Sequence, residues 1–195
     1  SIPLQEASII ADAISTPYHA VKNRARVRPG DTVVIFGCGG VGINAVQIAA
    51  ACGGFVIAVD VNDRKLEWAR QFGAAETINA KSVERVSKAV KKLTGGGADI
   101  AIEVIGNPRT IEEAMECLRI GGRLCVVGYT SEAVSIVAGK IMFKELEIVG
   151  SLGCRPLDYR PLIRLVEQGK VDVKKQVTHR FKLEDLNKAF AAMKE

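Results

Sequence analysis

Gly37-Cys38-Gly39-Gly40-Val41-Gly42 follows directly on the apolar run Thr32–Phe36, and a second apolar run, Phe55–Val59, ends on the acid Asp60. Glycines so placed let the chain turn tightly at the end of a strand and bring its backbone close to a ligand. They also let the next helix pack against that strand. The helix that opens there offers unpaired N–H groups and the positive end of its dipole, which suits a pyrophosphate. A carboxylate at the tip of the next strand can accept both hydroxyls of an adenosine ribose. The chemistry implied is the holding of a dinucleotide, whose nicotinamide carries hydride. The carboxylate of Asp60 repels a 2′-phosphate, so NAD is expected over NADP, with nearby Arg64 as an opposing influence. Part of the pattern has other uses. Glycine-rich turns also end strands in methyltransferases and flavin proteins, and the ribose of adenosylmethionine likewise offers two hydroxyls.

The elements needed to position these groups are legible as a rhythm. Apolar runs at Thr32–Phe36, Phe55–Val59, Glu76–Ile78, Ile100–Glu103, Arg123–Val127 and Glu147–Ser151 predict six strands. Between them, helical patterns cover Gly40–Cys52, Asp63–Phe72, Ser82–Leu93 and Arg109–Leu118, with Ser135–Phe143 helical in part. Short buried strands alternating with helices mean a parallel sheet covered on both faces. The expected fold class is α/β, a doubly wound six-stranded parallel sheet (Rossmann fold) in three αβα layers, with strand order 3-2-1-4-5-6. Turn residues agree: Pro29-Gly30-Asp31 precedes the first strand, Gly95-Gly96-Gly97 ends the third helix, Asn107-Pro108 opens the fourth and Gly121-Gly122 closes it. Beyond Ser151 a helix is expected over Asp158–Gln168, a short strand over Val177–Lys182 and a last helix over Glu184–Met193.

Composition narrows the function classes. The 195 residues are 48% hydrophobic and 25% charged, ordinary for one soluble domain with a good core. There is no apolar run long enough to span a membrane, and the first residues have neither the basic nor the apolar region of a secretory signal. A net charge of +5 is modest, and basic clusters such as Lys88-Lys91-Lys92 and Lys174-Lys175 lack interleaved aromatics, so no nucleic-acid partner is expected. Five cysteines without a C-x-x-C pair read as reduced thiols of a cytoplasmic protein.

An ordered series of short motifs resembles the medium-chain dehydrogenase/reductase superfamily, in particular its zinc-type alcohol and polyol dehydrogenases. It begins at Ala11–Ala20 and passes through Val27–Asp31, Gly37–Gly42, Val59-Asp60, Gly73-Ala74, Asp99–Gly106, Gly121–Arg123 and Gly150-Ser151. Members of that superfamily are about twice this length, with a catalytic domain ahead of the dinucleotide domain. The chain has no Gly-His-Glu segment, no Cys-Gly-x-Asp run and no lobe of four closely spaced cysteines. The resemblance therefore implies the cofactor-binding portion of a larger enzyme. Residues 1–20 would end the catalytic segment and lead in, residues 21–152 would form the NAD-binding domain, and residues 153–195 would return toward the catalytic domain.

By position, the resemblance assigns Thr16 to the nicotinamide and Gly37, Gly39, Gly40, Val41 and Gly42 to the pyrophosphate turn. It assigns Asp60 and Lys65 to the adenosine ribose, and Val104 and Ile105 to the adenine-to-ribose region. Val127, Gly128, Tyr129, Ser151 and Leu152 would approach the nicotinamide; Val104, Val127 and Leu152 are equally suited to core packing. Asp12 occupies the place of the third catalytic zinc ligand of the full-length enzyme, or else caps the following turn. His19 and Trp68 read as structural, the former a partly exposed helical histidine and the latter a packing residue. His179 fills a common family position with no derived role, and Glu103 reads as a hydrogen-bonded supporting carboxylate. Cys38 reads as a small space-filling residue whose pKa the helix N-terminus would lower.

The resemblance implies hydride transfer between an alcohol or carbonyl substrate and NAD, with zinc in the full-length enzyme. This chain alone would hold the cofactor without turnover, and dimers would form through the edge of the sixth strand. Two rivals remain. One is a zinc-free enoyl or quinone reductase of the same superfamily, which usually carries an alanine-rich loop; the other is a non-catalytic NAD-binding module.

Overall fold

The computed structural model describes residues 2–192. Six strands form its sheet: β1 (Thr32–Phe36), β2 (Phe55–Asp60), β3 (Glu76–Asn79), β4 (Ala98–Glu103), β5 (Leu118–Val126) and β6 (Glu147–Gly150). Their order is β3-β2-β1-β4-β5-β6 and every pair is parallel. The order reverses between β1 and β4, and the crevice at the carboxyl ends of those two strands is where such sheets bind ligands.

Helices cover both faces. A short α1 (Leu4–Ala7) and α2 (Ser15–Tyr18), which continues into the wide turns of His19–Ala25, precede the sheet. Then come α3 (Gly40–Ala51), α4 (Asp63–Gln71), α5 (Val86–Thr94), α6 (Pro108–Glu116), α7 (Ala138–Lys144), α8 (Tyr159–Glu167) and α9 (Leu186–Ala192). Side chains alternate across a strand, so one face of the sheet presents Val33, Ile35, Val56, Ala58, Ile100 and Ile102 to a core shared with Ile14, Tyr18, Val46, Leu66 and Leu162. The other presents Val34, Phe36, Ile57, Val59, Ala101 and Leu124 to Val90, Ile111, Ala114 and Met115. This is why the strands are apolar throughout instead of alternating with polar residues. The three αβα layers are as expected.

Helix α3 runs through the middle of one layer, and Gly42–Ala49 are all buried. Two of them are polar, Asn44 and Gln47. Asn44 exchanges hydrogen bonds with Gln176, and the carboxamide oxygen of Gln47 accepts from the Asp172 N–H at 2.8 Å. A buried amide without partners would cost 1–3 kcal/mol by rough measure; here the pairing fastens residues 172–176 onto α3. Side-chain caps start α4 and α6: Asn62 accepts from the N–H groups of Arg64 and Lys65, and Asn107 from that of Arg109.

Four expectations are corrected. The third helix starts at Val86, not Ser82, because Glu113 holds Arg85 in an extended conformation and takes the Ser87 N–H. The fourth ends at Glu116, and Gly121-Gly122 lie inside β5 instead of closing it. Leu118 already pairs with Ala98, and the register then shifts before Ile100 meets Arg123. Val177–Lys182 forms no strand, since no neighbouring strand offers it a ladder among the described residues. The last helix begins at Leu186 after a tight turn at Leu183–Asp185, and Met193 lies outside the described residues. No helix of the described residues is long and apolar enough to cross a membrane.

Ile102, fully buried in the middle strand β4, tests the packing. Ile102→Ala is expected to lower stability by about 2–5 kcal/mol in a urea titration; a loss below about 1 kcal/mol would contradict the close packing of that face.

Candidate functional site

The turn from β1 into α3 carries the glycines. A Cβ on Gly42 would stand 1.9 Å from the Gly37 carbonyl oxygen and 3.2 Å from a methyl of Val104, so α3 approaches β1 only because this residue has no side chain. Over Gly39 and Gly40, by contrast, nothing lies within 4 Å. Gly39 caps α3 without any side-chain bond, so the first N–H groups of this twelve-residue helix have no side-chain partner. Those unpaired donors and the helix dipole together favour an anion there.

Asp60 sits at the end of β2, across the turn. Its Oδ2 accepts from the Cys38 N–H at 2.8 Å, and its Oδ1 accepts from the N–H groups of Val61 and Asn62 at 2.8 and 3.0 Å. The carboxylate is thus fixed in orientation, with a lone pair left on Oδ2 for a ligand. Gly37, Gly39, Gly40, Val41, Gly42, Asp60, Lys65, Val104 and Ile105 all line one groove of about 430 Å³. An adjoining cleft of about 640 Å³ shares Asp60 and Ile105 and adds Arg85, Arg109, Thr110 and Glu113. The sequence reading missed these four, although Asn107-Pro108 already fixed the start of α6 and so the place of Arg109.

Glu103, 0% exposed, organises the far wall. Its carboxylate accepts from the N–H groups of Ile105 and Gly106 and from the Thr110 hydroxyl at 2.8–3.1 Å. Its backbone carbonyl takes the N–H groups of Val127 and Gly128. It supports the loops after β4 and β5, as a supporting carboxylate should.

The remaining expected residues are not gathered into either cleft. Thr16 donates its hydroxyl to the Asp12 carboxylate at 2.6 Å, so Asp12 bonds a side chain and does not cap a backbone N–H. Tyr129 and Leu152 are 87% and 94% exposed, whereas Val127 packs against the core. Ser151 has a buried hydroxyl oxygen with no partner, a costly state that a ligand hydrogen bond would relieve. Asp12 is one exposed donor, and no three metal-ligating side chains come together among the described residues.

Other readings change. Burial pushes the Cys38 thiol up to about 12, with the Asp60 charge adding to the rise, so the helix N-terminus does not lower it. Cys38 is a buried space-filler, and all five cysteines are free. His19 is structural and only partly exposed, as expected, and its Nδ1 meets the Asp158 carboxylate at 3.0 Å. Trp68 leaves over a third of its surface in solvent, less of a packing residue than expected. His179 stacks on Phe181.

A doubly wound sheet with a glycine turn, an open helix N-terminus and a fixed carboxylate at its switch point defines a nucleotide-binding α/β protein. The comparisons make this narrower. A family model described as "Zinc-binding dehydrogenase" matches residues 40–168, and the chain belongs to that family. It is 35% identical over 192 residues to "Sorbitol dehydrogenase 1" of Saccharomyces cerevisiae, covering 95% of this chain and 54% of that protein. With "Alcohol dehydrogenase-like 7" of Arabidopsis thaliana it shares 32% identity, covering 100% of this chain and 52% of that one. The crystal structure of benzyl alcohol dehydrogenase from Acinetobacter calcoaceticus superposes with a TM-score of 0.93 at 28% identity, covering 100% of this chain and 55% of that one. The chain spans about half the length of the curated relatives it matches.

Burial, with the Asp60 charge beside it, keeps the Cys38 thiol protonated at pH 8. Thiol titration of the folded protein at that pH is expected to leave Cys38 unmodified until denaturant is added. Rapid labelling of Cys38 in the native state would mean that the turn opens.

Proposed function

We propose that this chain binds NAD and forms the cofactor half of an alcohol dehydrogenase, an enzyme that moves hydride between an alcohol or carbonyl substrate and NAD. The observation that carries the reading is the pairing of Asp60, fixed by the Cys38 N–H, with the uncovered N-terminus of α3. The Gly40 and Val41 N–H groups hold the pyrophosphate, and Asp60 with Lys65 holds the adenosine ribose. Val104 and Ile105 flank that ribose and the adenine. Thr16, Val127, Gly128, Tyr129, Ser151 and Leu152 border the nicotinamide, and the Ser151 hydroxyl gains a partner there. Bound NAD supplies the hydride acceptor; the residues of this chain orient it and keep its negative charges paired.

The family and the names of its relatives support a substrate with a C–OH group. Asp12 would give one of the three protein ligands that an open catalytic zinc takes, the others coming from further segments of the whole protein. Five free thiols suit a reducing compartment such as the cytoplasm. The edge strand β6, paired only with β5 among the described residues, suits extension of the sheet in a homodimer; sedimentation showing a strict monomer at high concentration would remove that part.

Calorimetric titration tests the reading. The wild type is expected to bind NAD at least roughly tenfold more tightly than NADP, and Asp60→Ala to lose roughly ten- to a hundredfold in NAD affinity, the worth of hydrogen bonds to a charged group. The same preparation should show no alcohol oxidation. NADP bound as tightly as NAD, or a mutant with unchanged affinity, would overturn the assignment of Asp60.

A further inference from the structure

Two segments far apart in sequence are tied together beside the carboxyl edge of the sheet. The first, residues 11–24, carries Asp12 and Thr16; the second, residues 150–159, carries Ser151 and Leu152. Arg24 Nε donates to the Gly150 carbonyl at 2.6 Å, and the Tyr159 hydroxyl donates to the Ala11 carbonyl at 2.9 Å. Between these two bonds lies Asp158, 3% exposed. Its Oδ2 faces His19 Nδ1 at 3.0 Å and its Oδ1 accepts from Asn23 Nδ2 at 3.0 Å. From its own segment it takes the Arg155 N–H at 3.0 Å and the Arg155 guanidinium at 2.8 Å. Burial works against the charge of Asp158, but these hydrogen bonds outweigh it and hold the carboxyl well below the usual carboxylate range.

A carboxylate is the group such a site requires. It offers lone pairs on both oxygens and donates nothing, so it can receive His19, Asn23 and Arg155 together. An amide of the same shape would turn an N–H₂ toward one of those donors. The two neighbouring bonds use backbone carbonyls and fix the spacing of the chains, while Asp158 fixes them from within.

None of this network touches the groove that holds the adenosine half. That groove is built by β1, β2, β4 and the start of α3, which the sheet itself positions. We infer that Asp158 is a positioning residue for the nicotinamide half of the cofactor: it sets the distance between the Thr16 turn and the chain leaving β6. The inference rests on the NAD reading above. It gives the nicotinamide walls a support separate from the one that places Asp60 and the glycine turn.

The test compares two ligands, NAD and ADP-ribose, which has the same adenosine diphosphate and ribose but no nicotinamide. Calorimetric affinities are measured for the wild type and Asp158→Asn well below their melting temperatures, with melting temperatures recorded in parallel. The expected result is a loss of roughly tenfold for NAD, the worth of one ordinary hydrogen bond, with ADP-ribose affinity kept within about twofold. A merely structural role would lower the melting temperature and leave the ratio of the two affinities unmoved, which overturns the proposal. A wild type that binds NAD no better than ADP-ribose also overturns it, since the nicotinamide half is then not held here. A wild type that binds neither ligand marks instead the failure of the NAD reading, and the proposal falls with it. Should Asp158→Asn not fold, Tyr159→Phe removes the bond to Ala11 at the exposed side of the same clasp and is expected to shift the ratio in the same direction. An unchanged ratio there overturns the proposal.

Discussion

The groove at the carboxyl ends of β1 and β4 depends on the close approach of Gly42 to the Gly37 carbonyl. Because that contact admits no Cβ, the first turn of α3 lies against the end of β1, and its N–H groups open beside the tip of β2. The same approach brings Val104 onto Gly42 and Ile105 onto Gly37, which links the turn to the end of β4. One packing constraint therefore determines the position of the anion-binding helix end, the depth of the groove and the wall opposite. The constraint is local, since it needs only glycine at a few positions and strands long enough to bury Val34 and Ile57.

Asp60, Glu103 and Asp158 carry a second theme. Each is a carboxylate that accepts backbone N–H groups, and each orders a different wall. Asp60 takes Cys38, Val61 and Asn62; Glu103 takes Ile105 and Gly106; Asp158 takes Arg155 and reaches across to His19 and Asn23. Loops at strand ends have no ladder to satisfy their N–H groups, and a fixed anion does so for several at once. Asp60 alone lines the grooves. Glu103 and Asp158 spend their acceptors on protein donors, which makes them scaffolding for the surfaces a ligand would meet.

These facts also explain what was legible in the sequence. The strand order, the glycine turn and Asp60 were legible because each depends on residues close together in the chain and on a repeated apolar rhythm. The start of α5 was not, because Glu113 on a later helix sets it. Nor was the extent of β5, since Gly121-Gly122 look like a helix terminator until Leu118 is seen paired with Ala98. The expected strand at Val177–Lys182 had suitable residues but no partner, a property of the sheet and not of the segment. His19 and Asp158, 139 residues apart, carry no mutual signal in a single sequence. For Cys38 the space-filling reading held and only the lowered pKa failed: a helix N-terminus lowers a thiol pKa only where the thiolate stays hydrated or paired, and the fold buries this one.

The two halves of the site differ in how they are built. The proposed adenosine side is made by consecutive strand–turn–helix units, and its groove is closed by residues of one continuous stretch from β1 to α6. The segments proposed to border the nicotinamide lie outside that stretch, and there Tyr129 and Leu152 stand almost wholly exposed. Large exposed apolar side chains cost solvation unless something covers them, and clusters of them mark contact surfaces. The chain also spans about half the length of its relatives. On the proposed NAD reading a division follows: the sheet alone would hold the adenosine half of the dinucleotide, whereas the reacting ring would lie at an edge whose walls need tying together. A carboxylate fixed between residues 11–24 and 150–159 supplies that tie from inside this chain, which is why the support of the ring can be separated from the support of the adenosine.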